Sequence, residues 1–296
     1  MLYCDKARKS KGKVEERKMK KLIALLLAGC MMAATLTGCG GTKDAASDQA
    51  AVEENENAEA TDSDLAYVLD KGVLVVGITD FAPMDYKDEN GEWIGFDAEM
   101  AVAFAESLGV AVEFVEIDWD NKILELDGKT IDCVWNGMTL TDEVKSAMEC
   151  SNAYCNNAQV VIVPADKADE YQTVESLEGL SFAVEAGSAG EAEVTALGLD
   201  CTPVKAQSDA LMEVAAGTSD AAVIDSLMAE AMVGEGTGYA DLTYTVKLNS
   251  EEYGVGFRKG SNLAVALNEF FENIYNDGTM EKMADNYGVG AAVVPQ

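Results

Sequence analysis

Residues 120–144, DNKILELDGKTIDCVWNGMTLTDEV, carry the pattern on which the fold turns. Apolar spacing predicts a helix over 119–126 and a short buried strand over 132–136. Small polar residues then lead to Thr139, Thr141 and Asp142, where a second helix begins. An apolar strand that ends in hydrogen-bonding groups just before a helix is the local form of an α/β sheet. Ligands in such sheets sit beyond the carboxyl ends of the strands. The tips of this turn are hydroxyls and acids, with one valine, Val144. Lys145 follows, but it points about 100° away from Val144 on a helix.

The same alternation runs outward in both directions. Strands are expected at 73–79, 111–117, 159–164, 181–185, 221–224 and 253–257, with helices between them, Asp97 capping the one that runs to Ser107. Two helices, at about 262–277 and 280–287, close the chain. Alternation of this kind predicts mainly parallel sheets flanked by helices. Polar residues gather at four strand ends: Asp80-Phe81, Asn136-Gly137-Met138-Thr139, Gly187-Ser188 and Asp225. Each alone is an ordinary turn or cap; four together point to one shared cleft.

Composition narrows the function. With 53 acids against 21 bases the formal charge is −32, which argues against nucleic acid because phosphate contacts need Lys and Arg. Histidine is absent, so the commonest general base and metal ligand is missing, and neither a catalytic residue, a metal nor a cofactor is expected. Beyond residue 38 the chain has 12 bases against 50 acids, and Arg258 is its single arginine there.

The amino-terminal part has a different character. Two lysines precede an apolar run from Leu22 to Thr37, and small residues lead to Cys39, the pattern of a secretory signal. Leu36-Thr37-Gly38-Cys39 resembles a bacterial lipobox, which implies acylation of Cys39, by palmitate-type chains, and anchoring to the outer face of the cell membrane. Residues 1–18 read as an extension from a start taken too early, so 1–38 is expected to be extension plus signal peptide. Residues 39–64 are Ala, acid and amide, unable to bury enough surface to order. They read as a tether spanning roughly 30 Å.

The motif order GVLVVGITDFAPMDY, GEWIGFDAEMA, the 120–143 stretch, AYCNNAQVVIVP, FAVEAGSAGEAE, GTSDAAVIDSLMA and YGVGFRKG resembles the family-3 extracellular solute-binding proteins. These serve polar-amino-acid ABC importers and have the type II periplasmic-binding fold. The resemblance covers nearly all of 65–290. It implies two lobes, the first from 65–157 plus a return at 248–290, a hinge at 158–163, and a second lobe at 164–247. It implies a small solute between the lobes, closure on the hinge, and a permease and ATPase as partners.

Ligand contacts carried over from the family are Phe81 on the aliphatic part, Asn136, Gly137 and Thr139 as hydrogen-bonding groups, Gly187 and Ser188 as carboxylate-holding amides, and Asp225 on the α-ammonium. The family's carboxylate-clamping arginine is replaced by Val144. Glu185 stands where the family has a neutral side chain, so two acids are expected in the cleft and an amine-bearing solute is favoured; backbone amides alone could also hold an amino acid. Trp135 is expected either to stack on the solute or to pack in the core. Among Cys133, Cys150, Cys155 and Cys201 three pairings are open, and buried free thiols are the leading expectation for Cys133 and Cys150. A sensory receptor, or a lyase on the same fold, is the alternative to import.

Overall fold

The structure, a computed structural model, describes residues 63–296. The expected signal segment, Cys39 and nearly all of the tether lie outside the described residues. The chain becomes regular at helix α1 (Asp64–Lys71), where the Ser63 side chain accepts from the Ala66 amide. The last two residues of the expected tether are therefore already part of the folded unit.

Two sheets follow. In the first, β1 (Val73–Ile78) lies between β4 (Ala111–Glu116) and β5 (Cys133–Thr139), all parallel. A seven-residue strand from the far end of the chain, β13 (Glu251–Phe257), adds antiparallel to β5 and carries the short β6 (Glu149–Cys150) and β7 (Cys155–Asn157). A small hairpin, β2 (Tyr86–Lys87) and β3 (Trp93–Ile94), stands apart. The second sheet repeats the plan. Parallel β10 (Asp200–Val204), β9 (Ser181–Glu185) and β11 (Ala221–Asp225) are followed by antiparallel β8 (Gln159–Pro164) and β12 (Leu242–Lys247). The fold is α/β, two sheets each with helices against it.

Both faces of each sheet are buried, which is why the strands read as continuous apolar runs rather than alternating ones. Along β5, Cys133 and Trp135 enter one cluster while Val134 and Met138 enter another. Along β8, Val160 and Ile162 go one way, Val161 and Val163 the other. Helix α2 (Phe96–Leu108) covers the first sheet with Phe96, Met100, Ala101, Phe104 and Ala105, a helical stripe. Helix α8 (Leu263–Asn276) supplies Phe271 beside it, and α9 (Thr279–Asn286) packs Met280 and Ala284 into the same core.

Four expectations are corrected. Asp97 does not cap α2: the helix starts at Phe96, two residues earlier than such a cap would place it, after Gly95 at φ 130°, and Asp97 is fully buried. Residues 136–139 are not a turn after β5 but its last four residues. The expected hinge at 158–163 is mostly β8, inside the second sheet; the chain crosses between sheets at Asn157–Gln159 and again at Lys247–Glu251. Trp135 is wholly buried, 5.6 Å from the Phe271 ring and 6.3 Å from Phe104, so it belongs to the core. The four described cysteines are free thiols; Cys133 and Cys155 are buried, Cys150 and Cys201 partly so.

Arg258 sits just past the end of β13, at the amino ends of β1 and β5. Its guanidinium donates to Asp64 at 3.0 Å, to the Ile131 carbonyl at 2.8 Å and to Asp132 at 3.3 Å. Asp132, fully buried, also receives Lys71 at 2.5 Å and the Val75 amide at 2.9 Å. Removing one partner of a buried ion pair leaves the other uncompensated. Lys71 still pairs Asp132 after Arg258→Met, so unfolding stability in urea titrations is expected to fall, by less than the about 3–5 kcal/mol of a fully uncompensated buried charge. Solute affinity should not change, because this ion cluster lies at the opposite end of the sheet from the site below.

Candidate functional site

A cavity of about 700 Å³ opens where the carboxyl ends of the strands from the two sheets face each other. From the first sheet it is lined by Thr79, Phe81, Asn136, Gly137, Thr139 and Val144; from the second by Glu185, Gly187, Ser188, Gln207 and Asp225. The structure thus brings together nine of the ten expected ligand residues. Trp135 is the exception, since side chains alternate along β5 and its neighbour Asn136 takes the cleft side.

On the first sheet, hydrogen bonds fix the end of β5. Asn136 Oδ1 accepts from the Thr79 amide at 2.8 Å and the Thr79 hydroxyl at 2.7 Å, and its amide group donates to Asp85 at 2.8 Å. Its side chain therefore ties β5 to β1 rather than standing free. The Gly137 amide donates to Asp97 Oδ2 at 2.7 Å, an oxygen that also accepts from Tyr154 Oη at 2.7 Å. Gly137 has φ 54°, and a Cβ there would come within 2.4 Å of the Phe81 ring. Glycine is what lets that ring come so close to the strand end. Burial raises both Asp85 and Asp97, the latter to about 7, so this anchor is a carboxyl pair that resists carrying two charges.

Val144 stands in the first turn of α4 (Asp142–Ala147), its amide donating to Thr141 Oγ1 at 3.1 Å. It is 6% exposed and packs with Ile117, Trp119, Met138 and Met148. No arginine lines the cavity. The cation that does is Lys122, on α3 (Lys122–Asp127), which the sequence reading passed over. Its Nζ lies 4.7 Å from the centre of the Trp119 ring and donates to the Trp119 carbonyl at 3.1 Å. It also crosses the cleft to the Gly187 carbonyl at 2.9 Å.

On the second sheet, Glu185 ends β9 and Asp225 ends β11. Ser188 caps α5 (Ala189–Ala196), its hydroxyl accepting from the Glu191 amide at 3.1 Å. Gly187 has φ 71°, and a Cβ on it would come within 2.7 Å of Asp120 Cα in the first lobe, so the two lobes touch here on bare backbone. A second bridge, Lys205 to Glu116 at 3.2 Å, joins them at the surface.

Asp225 accepts at Oδ1 from Tyr253 Oη at 2.8 Å, Gln159 Nε2 at 2.9 Å and Asn157 Nδ2, and at Oδ2 from Gln207 Nε2. Gln207 opens α6 (Gln207–Ala216). Asn157 and Gln159 also donate to Glu251, at 2.7 and 2.8 Å, and so does the Thr139 hydroxyl at 2.9 Å. None of these donors carries charge. Burial, then repulsion from Glu251, pushes Asp225 up to about 7 despite them. Burial, then Asp225 itself, pushes Glu185 up to about 8, against the pull of Lys122, and Glu185 Oε1 has no hydrogen-bond partner. The second lobe therefore presents two buried carboxyls that would ionise readily only beside a cation.

These shifts have a sign. An acid whose folded pKa is raised holds a proton that the unfolded chain has already lost, so stability falls as pH rises between the two values. Glu185 is expected to subtract stability between about pH 4.5 and 8, by a few kcal/mol at most. In urea titrations across that range, Glu185→Gln should flatten the decline, with the gain over the parent growing as pH rises.

The sequence profile described as "Bacterial extracellular solute-binding proteins, family 3" matches residues 74–290. The "Arginine-binding extracellular protein ArtP" of Bacillus subtilis is 29% identical over 281 residues, covering 92% of this chain and 99% of that protein. A mutant of ArgBP from T. maritima superposes with a TM-score of 0.71 at 32% identity, over 76% of this chain and 98% of that one. An ABC uptake transporter substrate binding protein from Streptococcus pneumoniae, solved with bound histidine, gives 0.71 at 29% identity, over 77% and 97%.

Proposed function

Because the chain belongs to the bacterial extracellular solute-binding proteins of family 3, we propose that it captures a small amino-acid-like solute bearing a cationic nitrogen and delivers it to the permease of an ABC importer. The observation that carries this reading is the pair of buried carboxyls, Glu185 and Asp225, facing one cavity with only neutral hydrogen-bond donors around Asp225. A buried carboxylate is stable only beside a counter-charge. A ligand nitrogen supplies it, and both acids then ionise. Relatives named for arginine, and one solved with histidine, carry ligands of that kind.

The first lobe contributes the other half of the grip. Phe81, 2% exposed and edge-on to Tyr253, offers an apolar surface for methylenes. Thr139 stands at the end of β5 with its hydroxyl toward Glu251, at the seam between the lobes. Closing on the solute assembles both halves at once, so affinity and lobe contact are one event. Among the described residues no helix is long and apolar enough to cross a membrane. Anchoring would rest on acylation at Cys39, which the lysine-led apolar run before it supports.

A thermal-shift screen over amino acids, polyamines and small nitrogenous compounds tests the reading. A ligand at about 100 times its Kd adds roughly 2.7 kcal/mol to stability and raises Tm. Arginine, lysine, histidine or a related amine is expected to give the shift, and glutamate is not. Asp225→Asn keeps the shape but not the charge, and should abolish the shift. Tight binding of glutamate without any amine would overturn the reading.

A further inference from the structure

Lys122 is 8% exposed and forms no ion pair among the described residues. Its two acceptors are carbonyls, those of Trp119 and Gly187, while an ammonium has three N–H donors. The cavity wall therefore holds one buried cation with a donor to spare, next to two buried carboxyls, Glu185 and Asp225. Burial lowers the Lys122 pKa against the pull of Glu185, Glu143, Asp120 and Glu191, so the surrounding acids do not fully compensate it. A buried charge without a partner has the same demand as the carboxyls, with the sign reversed.

We propose that Lys122 receives the carboxylate of the solute, doing from α3 what position 144, a valine, cannot do from α4, and that the solute is a cationic α-amino acid rather than a simple amine. This rests on the reading of the cleft as an amine site. Of the six acids that line the cavity, the two buried ones, Glu185 and Asp225, would meet the α-ammonium and the side-chain cation, while Asp120, Asp142, Glu143 and Glu191 stand at exposed or half-buried positions; Lys122 is the one ammonium there to meet the carboxylate. Position helps. Lys122 Nζ sits across from the opening turn of α5, where the Gly187 amide donates to Glu191 Oε2 at 2.7 Å, the Ser188 amide to the Glu185 carbonyl at 3.2 Å and the Glu191 amide to Ser188 Oγ at 3.1 Å, so only the Ala189 and Gly190 amides are left for a carboxylate reaching the lysine. The Trp119 ring beneath the ammonium fixes it and keeps water from one side. Because the same Nζ bridges to Gly187 in the other lobe, the carboxylate would be bound only when the lobes meet.

The test compares each amino acid with its decarboxylated amine: arginine with agmatine, lysine with cadaverine, histidine with histamine. Calorimetry on the parent is expected to show the amino acid of the preferred pair binding at least about 30-fold more tightly, the loss typical of removing one partner of a buried charge pair. Lys122→Gln should collapse that ratio by weakening the amino acid while leaving the amine nearly as before. Lys122→Arg should keep it. If Lys122→Gln weakens acid and amine equally, the lysine is merely a strap between lobes and the inference falls. Equal binding of both members of a pair by the parent would overturn it as well, while leaving the amine site intact. Binding of none of the six, with a nitrogen-free solute bound instead, would remove the amine reading and this one together.

Discussion

Asp225 is the point where the two halves of the molecule depend on each other. It ends a strand of the second sheet, yet its donors come from both crossings and from the first sheet: Asn157 and Gln159 flank the first crossing, and Tyr253 lies in β13 just past the second. A carboxyl buried completely, at a site where neighbouring Glu251 repels it, cannot be solvated by water and must be solvated by these groups. The geometry of the crossings is therefore set by the needs of one acid. The same donors serve Glu251, which in turn accepts from Thr139 on the opposite wall. A change of charge at Asp225 is felt at both crossings and at the end of β5 through contiguous hydrogen bonds.

On the proposed reading, this gives closure a physical cause. The acids of the second lobe are poised near neutrality, with Asp225 at about 7 and Glu185 at about 8, because nothing in the protein offsets them fully. A cation arriving between the lobes has a differential interaction with the closed arrangement, where it is within reach of both acids and out of water, and that difference is what shifts a two-state equilibrium. Besides the hydrogen bonds around Asp225 and Glu251 and the Lys122 bond to the Gly187 carbonyl at 2.9 Å, the contacts between the lobes are slight. Gly187 meets Asp120 without a side chain, and Lys205 meets Glu116 at an exposed site worth little by itself. On the proposed reading a solute decides between open and closed by its differential interaction with the two.

Much of this was legible in the chain. Continuous apolar runs such as 159–164 announced strands buried on both faces, and β8 spans those residues. Strand ends rich in Asn, Gly, Ser and Asp announced the cleft, and nine of ten named residues line it. The misses share a cause. Trp135 and Asn136 are neighbours, and which faces the cleft depends on strand phase relative to a sheet not visible in sequence. Asp97 looked like a cap because acids favour helix starts, but the helix opens at Phe96 and tertiary partners, the Gly137 amide and Tyr154, claim its carboxyl. Gln159, Gln207 and Glu251 show no motif; they matter through contacts between residues up to 112 positions apart. Lys122 had a faint signal, three residues after Trp119 and so on the same helical face.

Val144 and Lys122 belong to one packing arrangement rather than to a loss and an unrelated gain. Val144 shares an apolar cluster with Trp119, and Trp119 is the ring over which the Lys122 ammonium rests. A guanidinium at 144 would need its long side chain and five donors accommodated where apolar packing now runs from Ile117 through Met138 to Met148. With valine there, the cluster closes and Trp119 has a firm backing, which in turn supports a cation on its face. On the inference above, the positive charge of the cleft stands on the helix that precedes β5 rather than on the one that follows it. A point-like ammonium bonded to two carbonyls also differs from a fork: it fixes where an anion sits but not how its plane is turned. Orientation of the solute must then come from the second lobe, from Glu185 and Asp225, which is consistent with finding two acids in that lobe.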